Sequence, residues 1–75
     1  MDINAFVEGF AQQFMDTDPS EITASTRFHD LEEWSSLTAL CVIGFVRTEC
    51  GKTITARELK DIDTVQDLYD LVQTL

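Results

Sequence analysis

The run SSLTALCVIGFVRTECG, from Ser35 to Gly51, constrains this chain most, because its apolar residues point in two directions once it is wound as a helix. Ala39, Val42, Ile43, Val46 and Cys50 fall on one face. Leu37, Leu40, Cys41 and Phe45 fall mostly on the other, around Gly44. Ser35 is placed to cap the start, and Gly51 is a good C-terminal stop. Such a helix is either buried on both sides or leaves one apolar side for something outside the chain. A chain of 75 residues has few other elements to cover both.

Those other elements also read as helices. In DINAFVEGFAQQFM, Ile3, Phe6, Val7, Phe10 and Phe14 form one stripe at helical spacing, with Asp2 as cap. The turn formers of DTDPSE, with Pro19 restricting the residue before it, should end this helix. A long connection then runs to about Ser35 and carries Ile22, Phe28, Leu31 and Trp34, which can pin it to a core. TARE, Thr55 to Glu58, has the capping-box pattern and opens a short helix through Leu59 and Ile62. DTVQDLYDLVQTL begins another at Asp63 or Thr64, with Val65, Leu68, Tyr69 and Val72 inward. No segment alternates with period two. The expected fold is all-α: a small four-helix bundle over residues 1–75 as one domain, three longer helices plus one short helix, with a long first loop.

Size and charge then narrow the function. A chain this short buries too little surface to enclose a deep catalytic pocket, which weighs against an enzyme. Fourteen acidic against five basic residues give a formal charge of -9, so nucleic acid and anionic membrane surfaces are disfavoured. The same field attracts partners with basic patches, or serves solubility alone. No apolar span is long enough to cross a bilayer and no secretory leader opens the chain, so a cytoplasmic monomer is expected. Cys41 and Cys50 lie on nearly opposite faces of one predicted helix, where they cannot pair, and they make no metal-ligand spacing with His29.

The serine pair in EEWSSLTAL, Glu32 to Leu40, raises a question of its own. One cap needs one serine, so Ser36 is left to explain. It can simply occupy the first turn, where serine bonds locally. It can be a nucleophile served by His29 and Asp30, although no nucleophile-elbow pattern accompanies it. Or it can carry a phosphodiester, which the free N–H groups and dipole of a helix start favour electrostatically. Glu32 and Glu33 oppose this last reading unless their carboxylates point away.

WSSLTAL, in an acidic chain of this length and helix order, resembles the acyl carrier proteins, whose attachment serine precedes a leucine at the start of the second helix. Ser35-Ser36-Leu37 is similar to their Asp-Ser-Leu motif with a serine in place of the aspartate, and TVQDLYDLV, Thr64 to Val72, resembles their last helix. The resemblance covers essentially the whole chain. It implies that Ser36 receives 4'-phosphopantetheine from coenzyme A through a phosphopantetheinyl transferase, flanked by Ser35 and Leu37. It further implies that the protein does no chemistry itself: it shuttles thioester-bound acyl groups between loading, condensing and modifying enzymes, and shelters the chain between its helices.

The chain departs from that family in ways that bear on partners. Carriers of fatty-acid synthesis display acids along the second helix, whereas the matching positions here are Thr38, Cys41, Arg47 and Thr48, and only Glu49 keeps the acid. Acids gather instead at Asp30, Glu32 and Glu33 and at Glu58, Asp61, Asp63 and Asp67. Trp34 replaces the usual glycine-containing approach, and the Gly-Gly-x-Ser pattern of peptidyl carriers is missing. We therefore expect a more apolar docking face, Leu37, Leu40, Cys41 and Phe45, rimmed by Glu32 and Glu33 and aided by Glu49. The pathway expected is fatty-acid, polyketide-like or other specialised lipid synthesis. The alternative is an unmodified module of the same fold that only binds partner proteins.

Overall fold

Asp2 begins the first helix by accepting the Ala5 N–H at 2.8 Å, and α1 (Ile3–Ala11) turns Phe6 and Phe10 fully inward. This helix ends sooner than its apolar stripe predicts. Gln13 and Phe14 donate to Phe10 and Ala11, three residues back, so the last turn tightens and the chain leaves the α-helical path. Phe14 is nonetheless buried, since the tightened turn still points its ring at Phe10, 5.4 Å away between centroids. The computed structural model describes residues 1–75, and no β-strand forms.

The long connection is ordered by bonds to the far end of the chain. It contains two single 3₁₀ turns, Pro19–Glu21 and Phe28–Asp30. Ile22 and Phe28 enter the core, and the backbone lies along the start of the last helix: Val65 donates to Thr26, Gln66 to Ala24 and Phe28 to Asp63. An isolated antiparallel bridge joins Arg27 to Thr64. Arg27 also meets Asp63 at 2.9 Å, an exposed pair of the kind that contributes little by itself.

Ser35 caps α2 (Ser36–Phe45), its oxygen accepting from the Thr38 N–H, and Thr38 turns inward with its hydroxyl donating to the Glu33 carbonyl at 2.8 Å. The helix continues as one wider π-helical turn, Val46–Cys50, and stops at Gly51, whose φ of 67° places it in the left-handed region that glycine enters freely. Two more helices complete the bundle. In α3 (Ala56–Asp61) Thr55 and Glu58 form a capping box, and in α4 (Val65–Thr74) Thr64 and Asp67 form a second.

The two apolar sides of α2 meet different fates. Val42, Phe45 and Val46 are buried, Ala39 and Ile43 are half-buried, and Leu37, Leu40 and Cys41 are exposed. Phe45 thus departs from the outer docking face expected for it. Residues 42, 45 and 46 are spaced i, i+3, i+4 and share a stripe, and α1 supplies the seat. A β-carbon at Gly9 would overlap the Phe45 ring, 2.6 Å from its Cζ, so only glycine leaves room for it. Phe6 flanks that ring at 5.4 Å, and Tyr69 of α4 meets Phe6 edge-on at 5.3 Å while its hydroxyl donates to the Met1 carbonyl. The result is four helices, three longer and one short, closed around one apolar cluster.

Candidate functional site

Ser36 is the first residue of α2 and is exposed. Because Ser35 already serves the Thr38 N–H, the Ser36 hydroxyl has no structural task. The other serines are engaged: Ser20 with Asp18 at 2.9 Å, Ser25 with Thr23 at 3.2 Å, and Ser35 with Thr38. Ser36 alone of the four has a side chain without a protein partner. The helical ladder opens with Ala39 N–H to Ser35, so the Ser36 and Leu37 N–H groups also have no backbone acceptor. An exposed hydroxyl beside unpaired donors at the positive end of a helix dipole is a suitable place for a phosphate ester.

The neighbouring acids do not spoil it equally. Glu33 faces away from the site: its carboxylate accepts from the backbone N–H groups of Met15, Asp16 and Thr17 and from the Thr17 hydroxyl, at 2.6 to 3.0 Å. These bonds, the Thr17 hydroxyl foremost, hold its carboxyl below the usual range. Glu33 is therefore a clamp on the loop after α1, and not the rim of a docking face. Glu32 is exposed and forms no such bonds.

A groove of about 530 Å³ opens directly beside Ser36. Trp34, Ala39, Leu40 and Ile43 line one side, and Ala56 and Leu59 of α3 line the other. Trp34 is wedged against Phe28 at 4.7 Å and Phe14 at 6.3 Å between ring centroids, which anchors the segment entering α2. A larger cleft of about 640 Å³ separates α1 from α2, lined by Gln12, Gln13, Thr48 and Glu49 among others. It holds no serine, whereas the smaller groove adjoins Ser36. Glu49 belongs to that cleft and is not brought to Ser36.

Of the outer apolar residues, Leu37 and Leu40 are 70% and 64% exposed, and Cys41 stands beside them. They form a short stripe leading away from Ser36. Cys50 lies half-buried behind them, its Sγ 3.9 Å from the Met1 sulfur, and burial raises its thiol pKa.

The Nε2 of His29 is committed to backbone and not to Ser36. It lies 3.0 Å from both the Leu59 and Ile62 carbonyls, which only accept, so this nitrogen carries the proton and has no lone pair to offer as a base. Asp30 instead turns to Arg27, at 3.9 Å. No group of three His, Cys, Asp or Glu side chains converges as a metal site, and no helix is long and apolar enough to cross a membrane.

Gly9 and Glu33 have roles beyond those expected from the sequence. Gly9 carried a signal, since glycine inside a helix costs about 1 kcal/mol relative to alanine and so implies a packing reason. Glu33 carried none, because its partners lie 16 to 18 residues upstream.

Residues 5–72 match the family model described as the phosphopantetheine attachment site. No curated protein and no solved structure matches the chain.

Proposed function

The chain belongs to the phosphopantetheine attachment family, whose 4'-phosphopantetheine is held covalently on a serine, and on that premise we propose that Ser36 is the serine. The observation that carries the assignment is its hydroxyl: exposed, without a partner, and relieved of capping by Ser35. The unpaired N–H groups of Ser36 and Leu37 would hold the phosphate, and the engagement of Glu33 elsewhere removes one repelling charge. When bound, the group supplies a thiol that carries an acyl chain as a thioester.

In this reading the protein is a carrier and not a catalyst. Leu37, Leu40 and Cys41 present an apolar stripe next to the attachment point, with Glu32 at its edge, for the transferase and for the enzymes that load and process the cargo. Phe45 and Glu33 take no part, being committed to the core and the loop. Because this stripe is nearly free of charge, docking here relies less on acid-to-base pairing than on apolar contact, which suits a dedicated enzyme set in polyketide-like or other specialised lipid synthesis.

Mass spectrometry of the intact protein tests the assignment. Incubation with coenzyme A, Mg²⁺ and a broad-specificity phosphopantetheinyl transferase should add one phosphopantetheinyl group to the wild type and none to Ser36→Ala. An increment retained by Ser36→Ala would move the site to another serine.

A further inference from the structure

We propose that His29 is a positioning residue: by bonding the end of α3 it sets the separation of α3 from α2, and so how closely the groove beside Ser36 covers a carried acyl chain. The inference rests on the carrier reading above and adds to it the residue that controls the groove.

The α3 helix is six residues long, too short to persist without outside support. Its first turn is secured by the capping box, with the Thr55 N–H donating to Glu58 at 3.0 Å. Its last turn has no comparable backbone closure, because Ile62 is already extended, with φ −111° and ψ 164°. One carbonyl of that last turn, Leu59, and the carbonyl of Ile62 just beyond it both accept from the His29 Nε2–H. Leu59 is itself a wall of the groove, with its side chain buried below.

His29 is in turn attached to the other wall. Its ring meets Trp34 edge-on at 5.5 Å, and Trp34 lies two residues before Ser36 on the segment that enters α2. Phe28, fully buried, holds the preceding position. One imidazole, itself at the edge of the groove, therefore joins the end of α3 to the approach to the attachment serine. Its bonds lie near the surface, where each adds little to global stability, but they act on the element with the least support of its own.

Replacing His29 with leucine removes the donor, and replacing it with glutamine restores an N–H at a similar reach. In the unmodified chain, His29→Leu should speed amide exchange in α3 on the order of fivefold, leave α4 unchanged, and be rescued by His29→Gln. In the modified protein, hydroxylamine, which converts a thioester to a hydroxamate and free thiol, should cleave an octanoyl group more slowly than an acetyl group. His29→Leu should speed octanoyl cleavage on the order of fivefold with acetyl unchanged, and His29→Gln should stay close to the wild type. Equal effects on both thioesters, or none, would overturn control of the groove. Unchanged α3 exchange in His29→Leu would overturn the tether itself. Failure of the chain to gain a phosphopantetheinyl mass increment would overturn the carrier reading, and with it the role toward cargo, while the exchange experiment would still decide the tether.

Discussion

On one side α2 meets α1 through an aromatic ring seated against a glycine; on another it faces a six-residue helix across an open groove. The first contact is closely fitted, since Phe45, Phe6 and Tyr69 form a continuous run of rings from α2 to α4. The second rests on the buried Leu59 side chain, a capping box and one imidazole. On the proposed carrier role, the packed side would hold Ser36 in place while the α3 side yields to cargo. The apolar surplus on α2 is thus divided between a side packed on α1, one wall of the groove and an exposed outer stripe.

Truncating the ring should produce the largest effect and break the packed side. Phe45→Ala is expected to cost about 3 to 5 kcal/mol, a large share of the stability of so small a domain, and denaturant unfolding would measure it. A loss below about 1 kcal/mol would show that Phe45 belongs to the docking face after all. Filling its seat comes next. Gly9→Ala gains helix propensity of about 1 kcal/mol but crowds the ring, and overpacking costs about 1 to 3 kcal/mol, so a net loss near 1 kcal/mol is expected. Stabilisation would mean that the ring is free to shift into the adjoining cleft.

The Glu33 clamp sharpens the comparison through pH. Its folded pKa is depressed, so its contribution is complete above the ordinary carboxylate value of 4.5 and is lost as pH falls through the lower folded value. Glu33→Gln should lower Tm at neutral pH and flatten the fall of Tm between about pH 5 and about pH 3. An unaltered acid profile would remove the clamp from the account. Leu40→Ala should be the mildest, within about 0.5 kcal/mol of wild type in stability, while slowing modification or turnover by partner enzymes. Unchanged rates with every cognate enzyme would leave the outer stripe without a role.

Much of this was legible because it is local. The caps at Asp2, Ser35 and Thr55 and the stop at Gly51 follow from short-range hydrogen bonding and backbone freedom, and the structure has them where the residues place them, while of Asp63 and Thr64 it is Thr64 that caps the last helix. Ser36 stood out for the same reason, as a hydroxyl beyond what capping needs. The features that escaped depend on distant partners. Which way Phe45 turns is settled by a glycine 36 positions earlier, on another helix. The end of α1 is set by a choice between i+4 and i+3 bonding at Gln13 and Phe14, which the apolar stripe does not record. His29 reads in isolation as a potential base, and only the carbonyls of Leu59 in α3 and of Ile62 just after it make its Nε2 a donor.

The central claim is that Ser36, and no other serine, bears the prosthetic group. Intact-mass spectrometry of wild type, Ser35→Ala and Ser36→Ala after transferase treatment tests it most directly. The account predicts one phosphopantetheinyl increment on wild type and on Ser35→Ala, and none on Ser36→Ala. An increment that persists in Ser36→Ala, or one that never forms with either a broad-specificity or a cognate transferase, would contradict it.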